Sequence, residues 1–184
     1  METGKIIEFW ENKRIIAAVC LESRGERLHI LTEQNREASL SSNRVINCSD
    51  YLVDPALSRD ELVLKLKLIV ERRNRLKEET NVNELWELLQ GEGDIFTGET
   101  LAELWFGKQT SSDGISAMQR ALSEDKIYFK QKGEKYILNP QELVEQYHLK
   151  LEREKEKARE TEEVSQWLRQ IWSGKKLPLN QATE

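Results

Sequence analysis

The run Ile15-Ile16-Ala17-Ala18-Val19-Cys20-Leu21 is apolar at every position. In an extended chain successive side chains point to opposite faces. Ile15, Ala17, Val19 and Leu21 then make one apolar face, and Ile16, Ala18 and Cys20 make the other. A strand of this kind must be covered on both sides. Its neighbours supply the means. Lys5 to Trp10, Arg14 to Glu22, Arg27 to Glu33 and Glu37 to Ile46 are short runs carrying Val, Ile and aromatic residues. They are separated by Glu11-Asn12-Lys13, Ser23-Arg24-Gly25-Glu26 and Gln34-Asn35-Arg36, which are turn compositions. Strands at roughly ten-residue spacing predict a small N-terminal β-barrel, SH3- or OB-like, over residues 1–55.

Helical signals follow. Ser58 with Glu61 three residues on is a capping box. Leu62, Leu66, Ile69 and Val70 fall at helical spacing. Leu64-Lys65-Leu66-Lys67-Leu68 alternates like a strand, but about twenty residues without Gly or Pro decide for a helix from Arg59 to Glu79. Apolar on more than one side, it reads as a connector over residues 56–80, wedged between two domains. Asn81 then caps a helix with Leu85, Trp86, Leu88 and Leu89. Thr100 opens a second with Leu101, Leu104, Trp105 and Phe106, and Ser112 or Asp113 a third with Ile115, Met118, Ala121 and Leu122. Ile127-Tyr128-Phe129 and Tyr136-Ile137-Leu138 read as strands joined by a turn containing Gly133. Helix, helix, helix, hairpin is the order of a winged helix-turn-helix, expected over residues 81–139. Asn139, Pro140 and Glu142 start a long C-terminal helix over residues 140–173, with a disordered tail from 174 to 184. The expected fold class is α+β.

The long helix changes character along its length. Glu152 to Glu163 is almost wholly polar, a solvated spacer. Val164, Trp167, Leu168, Ile171 and Trp172 then recur at i, i+3, i+4, i+7 and i+8, one apolar stripe. Two tryptophans on such a stripe call for cover. The expected cover is another domain of the same protein, a fold-back onto the barrel or connector helix, or a second copy of the chain.

Composition narrows the chemistry. The net charge of -5 gives no global attraction for nucleic acid, so any such contact must be a local patch. Cys20 and Cys48 are too few and too far apart for a disulfide framework or a zinc site, which fits a reducing, cytoplasmic setting. No apolar run approaches the ~20 residues of a membrane helix, and Met1 to Lys5 lacks a signal peptide's apolar stretch. His29 and His148 have no ligand-spaced partners. No phosphate loop, Gly-x-Ser-x-Gly or Cys-His pair is present. The aspartates, Asp50, Asp54, Asp60, Asp94, Asp113 and Asp125, are scattered at caps and turns rather than clustered as a two-metal nuclease requires. No catalytic residue, metal ligand or cofactor is expected in this chain.

Ile7-Glu8-Phe9-Trp10-Glu11-Asn12-Lys13-Arg14-Ile15 resembles the opening of bacterial ribonuclease II and ribonuclease R proteins, as does Arg27 to Glu37 followed by Leu40-Ser41 and Arg44-Val45. Glu84 to Leu88, Leu101 to Gly107, Asp125 to Lys130 and Trp167 to Lys175 carry the resemblance further. It implies a family of processive, magnesium-dependent 3′-to-5′ exoribonucleases acting on single-stranded RNA. It also implies that the catalytic domain, with the family's aspartate cluster and magnesium, lies beyond this chain. The expected role is an N-terminal RNA-binding or accessory module. Its partners would be single-stranded RNA and the catalytic domain of the same protein, which the stripe from Val164 to Trp172 would meet.

Candidate RNA contacts fall in two groups. On the barrel, Lys5, Lys13, Arg14, Arg27, Arg36 and Arg44 could hold phosphates and Trp10 or Phe9 could stack a base. On the winged helix, Lys126, Lys130, Lys132 and Lys135 concentrate on the wing, while the recognition helix offers only Gln119 and Arg120. Two alternatives belong to other classes: a winged-helix DNA-binding transcription regulator, and a protein-docking adaptor. The thin recognition helix counts against sequence reading in a major groove.

Overall fold

The computed structural model describes residues 1–172. The tail expected from 174 and the helix stop at Gly174 lie outside the described residues. Residues 1–139 form one compact unit, and the long C-terminal helix belongs to a second.

Five strands open the first unit: β1 (Lys5–Glu11), β2 (Arg14–Arg24), β3 (Arg27–Thr32), β4 (Glu37–Ser41) and β5 (Val45–Leu52). All pair antiparallel, in the order β4-β3-β2-β1-β5. β2 is central, as its two apolar faces require. Ala17 and Val19 pack with Ile6 and Leu31 on one face. Ile16, Ala18 and Cys20 pack with Ile7, Phe9, Leu28, Ile30 and Leu40 on the other. That second cluster is built from strand residues alone, so the sheet must curl over its own side chains. Register shifts between Glu8 and Phe9 and between Cys20 and Glu22 supply the bend. The expected barrel is nevertheless not closed. A single 3-10 turn, Ser42–Arg44, separates β4 from β5 and sends β5 to pair with β1, leaving β4 and β5 as the two edges.

α1 (Arg59–Glu78) lies on the first face of the sheet. Its capping box is present: the Ser58 hydroxyl accepts from the Glu61 amide, and the Glu61 carboxylate accepts from the Ser58 amide at 2.9 Å. Leu62, Val63 and Leu66 enter the core, whereas Leu64 and Leu68 face solvent. Those two exposed leucines create the strand-like alternation of this segment.

The winged helix follows as α2 (Val82–Leu88), β6 (Ile95–Thr97), α3 (Gly98–Phe106), α4 (Ser112–Glu124), β7 (Phe129–Lys132) and β8 (Lys135–Leu138). Its three-stranded sheet has the order β6-β8-β7. β6 escapes sequence reading because three residues beside Asp94 and Gly98 carry no period. Thr97, not Thr100, caps α3, accepting from the Thr100 amide at 3.1 Å. Ile127 and Tyr128 are not strand: the Asp125 carboxylate accepts from the Ile127, Tyr128 and Phe129 amides and holds them in a turn. Trp86 closes this core, donating its indole N–H to the Asn139 carbonyl at 2.9 Å.

α5 (Gln141–Trp172) is one continuous helix of 32 residues. No helix among the described residues is long and apolar enough to cross a membrane.

Candidate nucleic-acid interface

Asn12 and Lys13 join β1 to β2 in a two-residue turn, with φ of 49° and 63°. Paired positive φ values match the right-handed twist of a hairpin, and they set Lys13 exposed at the tip. Trp10 precedes the turn, half-buried, and its carbonyl accepts from Arg44 Nη2 at 3.2 Å. Trp10, Gln131 and Gly133 line both of two cavities, of about 740 and about 500 Å³. The larger lies between β5 (Asn47, Asp50) and the winged helix (Glu99, Gln119, Tyr136). The smaller is lined by Lys13, Ser123, Gln131 and Gly133. Trp10 and Lys13 are thus brought against the tip of the wing.

The wing lysines take the other side. Lys132 pairs directly with Lys135, Lys130 with Ile137, and Gln131 with Tyr136. Cross-strand partners share a face, so Lys130, Lys132 and Lys135 lie on one face of the wing and Gln131 and Tyr136 on the opposite one. All three lysines are exposed. Lys126, also exposed, lies before β7.

Arg120 requires a correction. It is 9% exposed and faces inward. Its Nη2 donates to Glu8 Oε1 at 2.5 Å and its Nε to Ser116 Oγ at 3.2 Å. Glu8 also meets Arg73 Nη1 at 2.9 Å. Arg73 reaches Asp113 Oδ1 at 2.7 Å and Ser49 Oγ at 2.7 Å. Arg72 joins Asp113 as well. Asn47 Nδ2 bridges Glu8 Oε2 and the Ser112 carbonyl, at 3.0 Å each. Burial pushes the Glu8 carboxyl up, but Arg73 and Arg120 outweigh it and hold Glu8 below the usual carboxylate range. Likewise burial lowers Arg73, and Glu8 and Asp113 more than restore it.

Ser112, Asp113, Ser116 and Arg120 form the side of α4 that a DNA-reading winged helix would present to the major groove. Here that side is docked on β1, β5 and α1, and nine of the thirteen residues of α4 are buried. A regulator reading DNA through this helix is thereby disfavoured. The sheet and the winged helix are joined by this ion cluster rather than standing as independent cores.

The remaining predicted residues scatter. Arg14 is exposed beside the Trp10 hairpin. Arg27 stands at the opposite end of β2, roughly 30 Å away at ~3.3 Å per residue. Arg36 is paired with both oxygens of Glu11 at 2.6 Å. Val164, Trp167, Leu168 and Ile171 are about half exposed on α5 and Trp172 is 92% exposed. The stripe lies wholly within the second unit. Glu8, Arg73 and Asp113 go unnoticed as partners in the sequence. The one available signal is Glu8 itself, a carboxylate inside an otherwise apolar strand. Among the described residues no group of three His, Cys, Asp or Glu side chains could hold a metal ion, so the magnesium implied by the resemblance finds no fit on them.

Residues 69–143 match the model of the ribonuclease II winged helix domain. That stretch, which spans the end of α1, the winged helix and the start of α5, is similar to the ribonuclease II winged helix domain. An uncharacterized ribonuclease of Synechocystis sp. (strain PCC 6803) is 28% identical to this chain over 181 residues, 96% of the chain and 26% of the relative. The crystal structure of an active-site mutant of Dss1 exoribonuclease from Candida glabrata superposes with a TM-score of 0.55 over 82% of this chain and 25% of that one, at 9% identity. That likeness is one of fold. The resemblance read from the sequence is borne out, and the chain spans about a quarter of the length of each relative it matches.

Proposed function

We propose that this chain is an accessory, non-catalytic module of a ribonuclease II-type exoribonuclease, and that its wing holds the phosphates of single-stranded RNA. The observation that carries the reading is the lysine face of the wing. Lys132 and Lys135 stand directly opposite each other on neighbouring strands, with Lys130 beside them. Like charges in that position are destabilising, and none of the three is ion-paired among the described residues. An anion laid across them relieves the repulsion, and a phosphodiester backbone is such an anion. RNA hydrolysis, with its magnesium, belongs to a nuclease domain outside these residues. The exposed stripe on α5 docks on that domain. The cellular setting that fits this role is the cytoplasm.

The test is the salt dependence of RNA binding. Replacing Lys130, Lys132 and Lys135 with Ala should weaken binding to a single-stranded oligonucleotide. Each lost phosphate contact should flatten the slope of log K against log salt by about 0.7. An unchanged slope would remove the wing from the interface.

A further inference from the structure

We propose that the groove between Trp10 and the wing is a nucleobase subsite selective for bases that carry an exocyclic amino group. The inference rests on the RNA-facing reading of the wing and adds a base-recognition site to it. The groove's volume of about 740 Å³ is in the range of ~300–1,000 Å³ typical of ligand sites. Trp10 lines both the groove and the smaller cavity and offers a π-face on which any base can stack.

The other walls decide which base fits. Gln119 lines the groove, and its Oε1 is buried with no hydrogen-bond partner. Glu99 and Glu134 line it too, both on exposed residues, and Asp50 adds a carboxylate that already accepts from the Ser112 amide at 3.1 Å. Carboxylates repel phosphate, so the backbone must stay outside. Lys13 is available in the adjoining cavity and the three lysines on the far face of the wing. What enters must be flat, neutral and rich in donors along its edge. Adenine brings N6–H₂, cytosine N4–H₂, and guanine its N1–H and N2–H₂. Uracil presents two carbonyl oxygens around a single N–H, which sets acceptor against acceptor. The strand would round the wing at Gly133, a residue common to both cavities. Its φ of 63° and lack of a side chain keep that tip low.

Binding of the full chain to labelled oligomers of about ten adenylates, cytidylates or uridylates tests this by fluorescence anisotropy. The adenylate and cytidylate oligomers should bind roughly fivefold or more tighter than uridylate. Replacing adenine with purine, which lacks the amino group, should bring affinity down to the uridylate level. That substitution is on the ligand and leaves the protein fold untouched. Gln119→Met should erase the preference, and Trp10→Ala should weaken all three oligomers. Equal affinities for the three oligomers, with a salt slope that still depends on the wing lysines, would sink the subsite and leave the RNA-facing reading standing. If no oligomer binds, both fall. An arginine-rich peptide that binds more tightly than any oligomer, and is lost on Glu99→Gln with Glu134→Gln, would reassign the groove to a basic protein segment.

Discussion

Arg120 Nη2 stands 2.5 Å from Glu8 Oε1, across 112 residues of chain. The pair fastens α4 of the winged helix to β1 of the five-stranded sheet, and Arg73 meets the same carboxylate from α1. Glu8→Gln removes the charge, takes from Arg120 its anionic partner and leaves Arg73 with Asp113 alone. Breaking a buried pair from one side costs about 3–5 kcal/mol, so the variant should lose stability on that scale in urea denaturation. Arg120→Ala should likewise destabilise the fold. If it instead folds normally and weakens RNA binding, its place in the core is wrong.

Two carboxyl groups should give stability opposite pH dependences. Glu8 has a folded pKa below its unfolded value, so its contribution is present above the unfolded value and drains away as pH falls through the folded one. Glu33 has its pKa raised, chiefly by burial and against a hydrogen bond from the Ala17 amide. Its contribution is full below the unfolded value and is lost as pH rises through the folded one. Glu33→Gln should therefore be at least as stable as the parent at pH 7, and should lose its advantage in acid. Melting temperatures from pH 3 to pH 8 measure this, and a Gln variant that melts lower than the parent at pH 7 contradicts it.

The purified chain should leave labelled single-stranded RNA intact in the presence of magnesium. The described residues offer no cluster of carboxylates to hold the ion. Stepwise shortening that persists across independent preparations would count decisively against an accessory role.

The α5 stripe should make the isolated chain self-associate. Trp167 and Trp172, 53% and 92% exposed, each bury roughly 150–250 Å² when packed. Sedimentation at rising concentration should show a dimer that Trp167→Ser with Trp172→Ser abolishes. Strictly monomeric behaviour at every concentration would speak against a sticky stripe. The double variant should leave the melting of residues 1–139 unchanged.

Local signals were the legible ones. The Ser58–Glu61 capping box, the two apolar faces of β2 and the turn at Gly133 each involve neighbours in sequence, and each stands in the structure. The face of the wing on which the lysines lie follows from cross-strand register, which a hairpin turn fixes only once its first and last residues are known. Arg120 escapes sequence reading for a different reason. An arginine on a helix looks solvent-facing until its partner is identified, and Glu8 lies in another element altogether. The proximity of Trp10 to Gly133 arises only when sheet and winged helix dock.

The inward turn of α4 has a bearing on how such a module can be inherited. Ser112, Asp113 and Arg120 each find partners on β1, β5 or α1. A recombination event that moved the winged helix alone would strand charges on both pieces at once. Gene shuffling should therefore carry residues 1–139 as a block, with the wing loop free to drift in length and composition while the buried arginines stay in place.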